Sequence, residues 1–160
     1  MYRSLIAIVV ASCVFAGCLP APYVYQKEIV IPQNNWTYAF KPSFAIDITD
    51  TTVGYQPFFV IRHTQAYPYC NLWVWVYIKA PGDSVERKER MNVVMAEATG
   101  KWLGRGMGEI YEQRLPIKFS DSVRFDRKGT YKITMEQNMR INPLPEVLNI
   151  GFRLEKKGHY

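Results

Sequence analysis

Little in this chain could hold a metal or build a reactive thiol. Its 160 residues include two histidines and three cysteines. His63, His159, Cys13, Cys18 and Cys70 show no zinc-ligand spacing, so no metal site is expected. A cysteine nucleophile needs an activating base. Cys70 lies instead within Tyr67-Pro-Tyr-Cys-Asn-Leu-Trp-Val-Trp-Val76, a run that predicts a buried, inert thiol. P-loop, nucleophile-elbow and zincin signatures are absent. Glu109 and Glu112 are close in sequence, but glycoside cleavage needs two carboxylates set across a cleft. No catalytic residue, cofactor or enzymatic activity is expected.

Also missing is an apolar run long enough to cross a membrane. Leu5 to Cys18 falls short of the roughly 20 residues a spanning helix needs, and Pro20 and Pro22, which resist helix continuation, follow at once. Charge of one sign does not accumulate either. The formal net charge is +6, but basic and acidic residues alternate, as in Glu86-Arg-Lys-Glu-Arg90, which reads as a solvated face. No nucleic-acid recognition motif, internal repeat, low-complexity segment or second domain is found.

What the chain does have begins at its N-terminus. Arg3, the apolar run Leu5–Phe15 and Ala16-Gly17 form a secretory signal with a small-residue cleavage site. Cys18 follows directly, as in a bacterial lipoprotein signal, where the cysteine is acylated and becomes the mature N-terminus. Val10-Ala-Ser-Cys13 is a second candidate, with a shorter apolar core. The expected organisation is a cleaved signal over 1–17, a lipidated Cys18 with a short tether over 18–23, and one domain over 24–157. Cleavage leaves 143 residues with a net charge of +5, enough chain for one sizeable core. Cys70 is then the one remaining thiol, which excludes an intradomain disulfide.

The rest of the chain alternates with the two-residue period of strands. Phe44, Ile46 and Ile48 share a face, and Phe59, Ile61 and His63 another. Leu72, Val74, Val76 and Ile78 oppose Trp73, Trp75 and Tyr77. That last segment is either a central strand or one whose aromatic face carries a partner. Val85–Met95 reads as a strand, though Arg87–Val94 would also tolerate a helix. Gln113–Phe119 reads as a strand, with Pro116 marking an edge or bulge. Tyr131, Ile133 and Met135 alternate with polar residues, and the final strand places Leu148, Ile150, Phe152 and Leu154 inward. About eight strands separated by turn signals predict an all-β fold, an antiparallel β-sandwich of jelly-roll or immunoglobulin-like type.

Gly100-Lys-Trp-Leu-Gly-Arg-Gly-Met-Gly108 carries four glycines in nine residues. One reading is a loop whose glycines take positive φ while Trp102 and Leu103 pin it to the sandwich. The functional reading is a partner-binding loop using Lys101, Trp102, Arg105 and Tyr111, residue types that concentrate binding energy at interfaces. Trp73, Trp75 and Trp102 raise an alternative partner, a glycan such as peptidoglycan, stacked on indole faces.

Several of these segments resemble the GldH family, the gliding-motility lipoproteins of the Bacteroidetes. The matching residues are Ile48-Thr-Asp-Thr-Thr52, Ile61-Arg-His-Thr64, Tyr67-Pro-Tyr69 with Asn71-Leu72, Gly100 to Tyr111, Lys128-Gly-Thr-Tyr131, and Met135-Glu-Gln-Asn-Met-Arg140 with Pro143-Leu-Pro145. They run in order over most of the mature chain. Cys70 departs from the pattern, as does Phe15 within the lipid signal. The resemblance implies a non-enzymatic cell-envelope lipoprotein working with gliding and secretion proteins. It implies lipid attachment at the outer membrane, with the inner membrane as the alternative. Surface-exported lipoproteins of these bacteria carry an acidic run after the lipid site. Leu19-Pro-Ala-Pro22 has none, so a periplasm-facing domain is expected.

Overall fold

The computed structural model describes residues 23–119 and 124–157. The signal, Cys13, Cys18 and the tether before Tyr23 lie outside these residues, as does His159. Eleven strands follow one another: β1 (Tyr23–Val30), β2 (Asn35–Trp36), β3 (Ser43–Ile48), β4 (Tyr55–Thr64), β5 (Asn71–Lys79), β6 (Arg87–Val94), β7 (Arg105–Met107), β8 (Ile110–Pro116), β9 (Gly129–Gln137), β10 (Leu144–Pro145) and β11 (Val147–Lys156). Eight of them run six residues or more, and one short 3-10 turn interrupts them at Pro32–Asn34.

The strands form an all-β sandwich. One sheet has the order β1-β11-β4-β8-β7 and the other β3-β9-β5-β6, with β10-β2 as a small separate pair. Every pairing is antiparallel. The inward faces meet in one apolar cluster. Phe44 of β3 and Phe152 of β11 bring their ring centroids within 6.1 Å of each other across the two sheets. Alternation decides which residues enter this core. Phe44, Ile46 and Ile48 are buried while Ala45 and Asp47 are exposed. Burying each such side chain is worth roughly 1.5–3 kcal/mol. Among the described residues no helix is long and apolar enough to cross a membrane.

Central position explains the strands that looked apolar on both faces. β4 lies between β11 and β8, and β5 between β9 and β6. Outward-facing Arg153 on central β11 is likewise 6 % exposed. Its guanidinium donates to Glu155 and to Gln26, and lies 4.4 Å from the ring centroid of Tyr23.

Four details differ from the sequence expectation or sharpen it. Arg87–Val94 is strand β6, not helix. Cys70 is exposed rather than buried, because it occupies the bend just before β5. Its carbonyl accepts the amides of Met95 and Ala96, which ties the backbone there and leaves the thiol in solvent. At the start of β11 the register slips between Val147 and Asn149, so Val147 rather than Leu148 faces the core. Pro116 ends β8 opposite Phe58, past the stretch that β7 covers, where no neighbouring strand needs its missing N–H.

Candidate functional site

The glycine-rich segment is not one loop. Leaving β6, the chain makes a tight turn in which Glu97 and Lys101 pair, and Leu103 donates its amide to the carbonyl of Met95. Trp102 then bridges to Ala96. Arg105–Met107 forms β7, a short edge strand that hairpins back into β8 across Gly108-Glu109. Two glycines are dictated by close approach. A Cβ on Gly104, where φ is +102°, would sit 2.4 Å from the carbonyl oxygen of Glu112. A Cβ on Gly106 would come within 3.0 Å of the Tyr111 ring.

The β4–β8–β7 corner presents two faces. Strand register aligns His63 with Tyr111 and Tyr111 with Gly106 on the inner face. Trp102 closes this face from the crossing segment. Its ring centroid is 4.7 Å from that of His63, edge-on, and Tyr111 stacks nearly parallel to the imidazole at 5.7 Å. Tyr67 lies 5.4 Å from His63, and Tyr69 packs edge-on against Tyr67. His63 is fully buried. Its Nδ1 is 2.8 Å from the carbonyl oxygen of Thr64, so Nδ1 carries the hydrogen and donates it. Nε2 then presents a lone pair, with no hydrogen-bond partner among the described residues. Burial holds the imidazole pKa below its ordinary value. Burial also pushes the Tyr67 phenol up, and its hydroxyl donates to the carbonyl of Asn71.

On the outer face the same register aligns Arg62, Glu112 and Arg105 across three strands, with Thr64, Ile110 and Met107 in the next row. Arg62 Nε stands 3.8 Å from Glu112 Oε2, an ion pair too long for a hydrogen bond, and that Nε is buried with no hydrogen-bond partner among the described residues. The Thr64 hydroxyl donates to Glu146, whose φ of +67° directs the chain into β11. A groove of about 280 Å³ runs over Arg62, Arg105, Gly106, Met107, Ile110 and Glu112.

The four residues singled out from sequence are therefore divided. Trp102 and Tyr111 belong to the inner aromatic cluster, with centroids 6.1 Å apart. Arg105 lies on the outer face. Lys101 is exposed and reaches only Glu97, at 4.0 Å. Sequence reading did not single out Glu112 or Met107 for binding, nor His63 as the cluster's centre. Alternation set the face of each residue, but only strand pairing set them beside one another.

The aromatic face of β5 is occupied from within the sheet. Arg90 lies 4.2 Å above the Trp73 ring and Lys88 4.1 Å above Trp75. With the Asn138 amide oxygen turned toward it, Arg90 also donates from Nε at 2.9 Å and from its terminal nitrogen at 3.1 Å. Tyr77 donates to Glu136, which Lys41 pairs at 2.9 Å. A pocket of about 460 Å³ lies at the end of the sandwich away from His63, near Tyr55 and Lys157. Among the described residues no three His, Cys, Asp or Glu side chains gather as metal ligands would. The outer face of the corner offers a groove and charged side chains for binding.

The family model described as GldH lipoprotein matches residues 23–154. The chain is 35% identical over 121 residues to the gliding motility lipoprotein GldH homolog of Christiangramia forsetii, covering 71% of this chain and 73% of that protein. It is 30% identical over 122 residues to the gliding motility lipoprotein GldH of Flavobacterium johnsoniae, covering 72% and 74% respectively.

Proposed function

The chain belongs to the GldH lipoprotein family, and from that premise we propose that it is a non-enzymatic gliding-motility lipoprotein. A lipid on Cys18 holds it to the periplasmic leaflet of the outer membrane. It serves the gliding or secretion machinery by protein contact at the β4–β8–β7 corner.

The supporting observation is an opposition of ends. β1 starts at Tyr23, opposite Glu155, and β11 carries that end on to Gln56 of β4. The far end of β1 pairs Val30 with Asn149, which pairs with Arg62 beside the corner. Along eight strand residues at about 3.4 Å each, the corner stands some 25 Å from where the chain enters the domain. The five residues from Cys18 to Tyr23 reach at most about 17 Å. A lipid at Cys18 thus restrains one end and leaves the other free. Protein contact is favoured over a glycan because Trp73 and Trp75 each have a ring face covered by a cation, and Trp102 packs on His63.

Two measurements test this. Density-gradient fractionation should place the wild type with outer-membrane markers and remove Cys18→Ala from that fraction; a variant that still travels with outer-membrane markers rejects the tether. Crosslinking in intact envelopes should join the tagged protein to envelope proteins. A protein that never crosslinks to another rejects the contact role.

A further inference from the structure

We propose that the β7 edge receives an extended, carboxylate-bearing segment of a partner protein, added as a strand beside Arg105–Met107. The inference rests on the protein-contact reading above and names the chemistry of the contact.

Three independent features converge on it. First, β7 is the terminal strand of its sheet, so β8 satisfies one side of its backbone and no strand among the described residues pairs with the other. An open strand edge is a template for main-chain hydrogen bonds with an incoming extended peptide. Second, charge in the row Arg62–Glu112–Arg105 is unbalanced. Arg62 and Arg105 flank a single carboxylate, Glu112. Glu112 reaches Arg62 only at 3.8 Å, Arg62 Nε is buried without a hydrogen-bond partner, and Arg105 has no ion-pair partner among the described residues. A second carboxylate in the groove would pair with the exposed guanidinium of Arg105 by a charge-assisted bond. Third, Met107 is 79 % exposed, the most exposed large apolar side chain described. It lies in the row beside the arginines, next to half-buried Ile110, where it can cover an apolar residue of the added strand. An acidic residue flanked at alternate positions by apolar ones matches this spacing.

The test uses full-length lipoprotein purified in detergent micelles, panned against a displayed library of random ten-residue peptides. Enriched peptides should carry Asp or Glu next to apolar alternation. They should bind Arg105→Glu and Met107→Lys at least tenfold more weakly, and weaken in 0.5 M salt. Both substitutions lie on exposed side chains, and an unchanged unfolding midpoint verifies that each variant folds. No enrichment, enrichment of peptides without carboxylates, or binding to both variants as tight as to the wild type overturns the proposal. If the double variant still crosslinks to envelope proteins as the wild type does, the docking strand fails while the protein-contact reading stands. Loss of those crosslinks in the double variant supports both.

Discussion

The indole of Trp102 lies edge-on against the imidazole of His63, with centroids 4.7 Å apart. One ring comes from the segment that crosses between the sheets, the other from central strand β4. The contact shuts His63 away from water and fastens the crossing segment to the sandwich, so the hairpin that carries β7 is held by an aromatic lock.

Acid should loosen that lock. Burial lowers the folded-state pKa of His63 below its ordinary 6.5, so the unfolded chain takes up a proton that the folded chain refuses. The resulting stability is complete above about pH 6.5 and is lost as pH falls toward the folded-state pKa. The ring neighbour Tyr67, whose phenol burial pushes up, stays neutral throughout this range. Urea midpoints measured from pH 8 down to pH 5 should fall below pH 6.5. His63→Phe, which keeps a ring but cannot titrate, should flatten that part of the profile.

The three glycines of the β7 hairpin should rank in cost. Gly104→Ala combines φ +102° with a 2.4 Å clash against backbone and should cost about 2 kcal/mol or more. Gly108→Ala has φ +63° but open space around it, and should cost about 1 kcal/mol. Gly106→Ala should fall between them and shift Tyr111. Urea unfolding followed by tryptophan fluorescence gives the order. An equal cost at Gly104 and Gly108 would contradict the close approach to Glu112.

Arg90→Ala should uncover Trp73 and partly Trp75. The expected loss is about 0.5–1 kcal/mol of cation–π stabilisation, with a red shift in tryptophan emission as water reaches the rings. Arg90→Lys keeps the charge but not the planar fork that meets Asn138. It should therefore recover only part of the loss.

Thiol counting reports on the lipid. Cys70 is exposed, so native protein should react with one maleimide per chain when Cys18 is acylated and the signal removed. Cys70→Ser should then show none. Two reactive thiols per mature chain would mean that Cys18 is unmodified.

Much of the architecture could be read from local pattern, because strand side chains repeat every two residues and a half-buried strand must alternate. Phe44-Ile46-Ile48, Phe59-Ile61-His63 and Tyr131-Ile133-Met135 all face inward as that period requires. It fails where backbone geometry interrupts it. The register slip near Val147 exchanges that residue for Leu148, and the bend at Cys70 turns out a thiol that its apolar surroundings suggested was buried.

The sequence by itself thus determined the class of fold and the inward faces of β3, β5 and β9, since each depends on residues within a few positions of one another. It also placed interest on Trp102, Arg105 and Tyr111 through composition alone. Only the tertiary structure decided that these residues divide between two faces, that His63 sits at the centre of one, and that Arg62, Glu112 and Arg105 line up on the other. That alignment comes from pairing β4 with β8 and β8 with β7. Pairing is a choice among distant segments of similar pattern, settled by how the whole core packs rather than by any local run of residues.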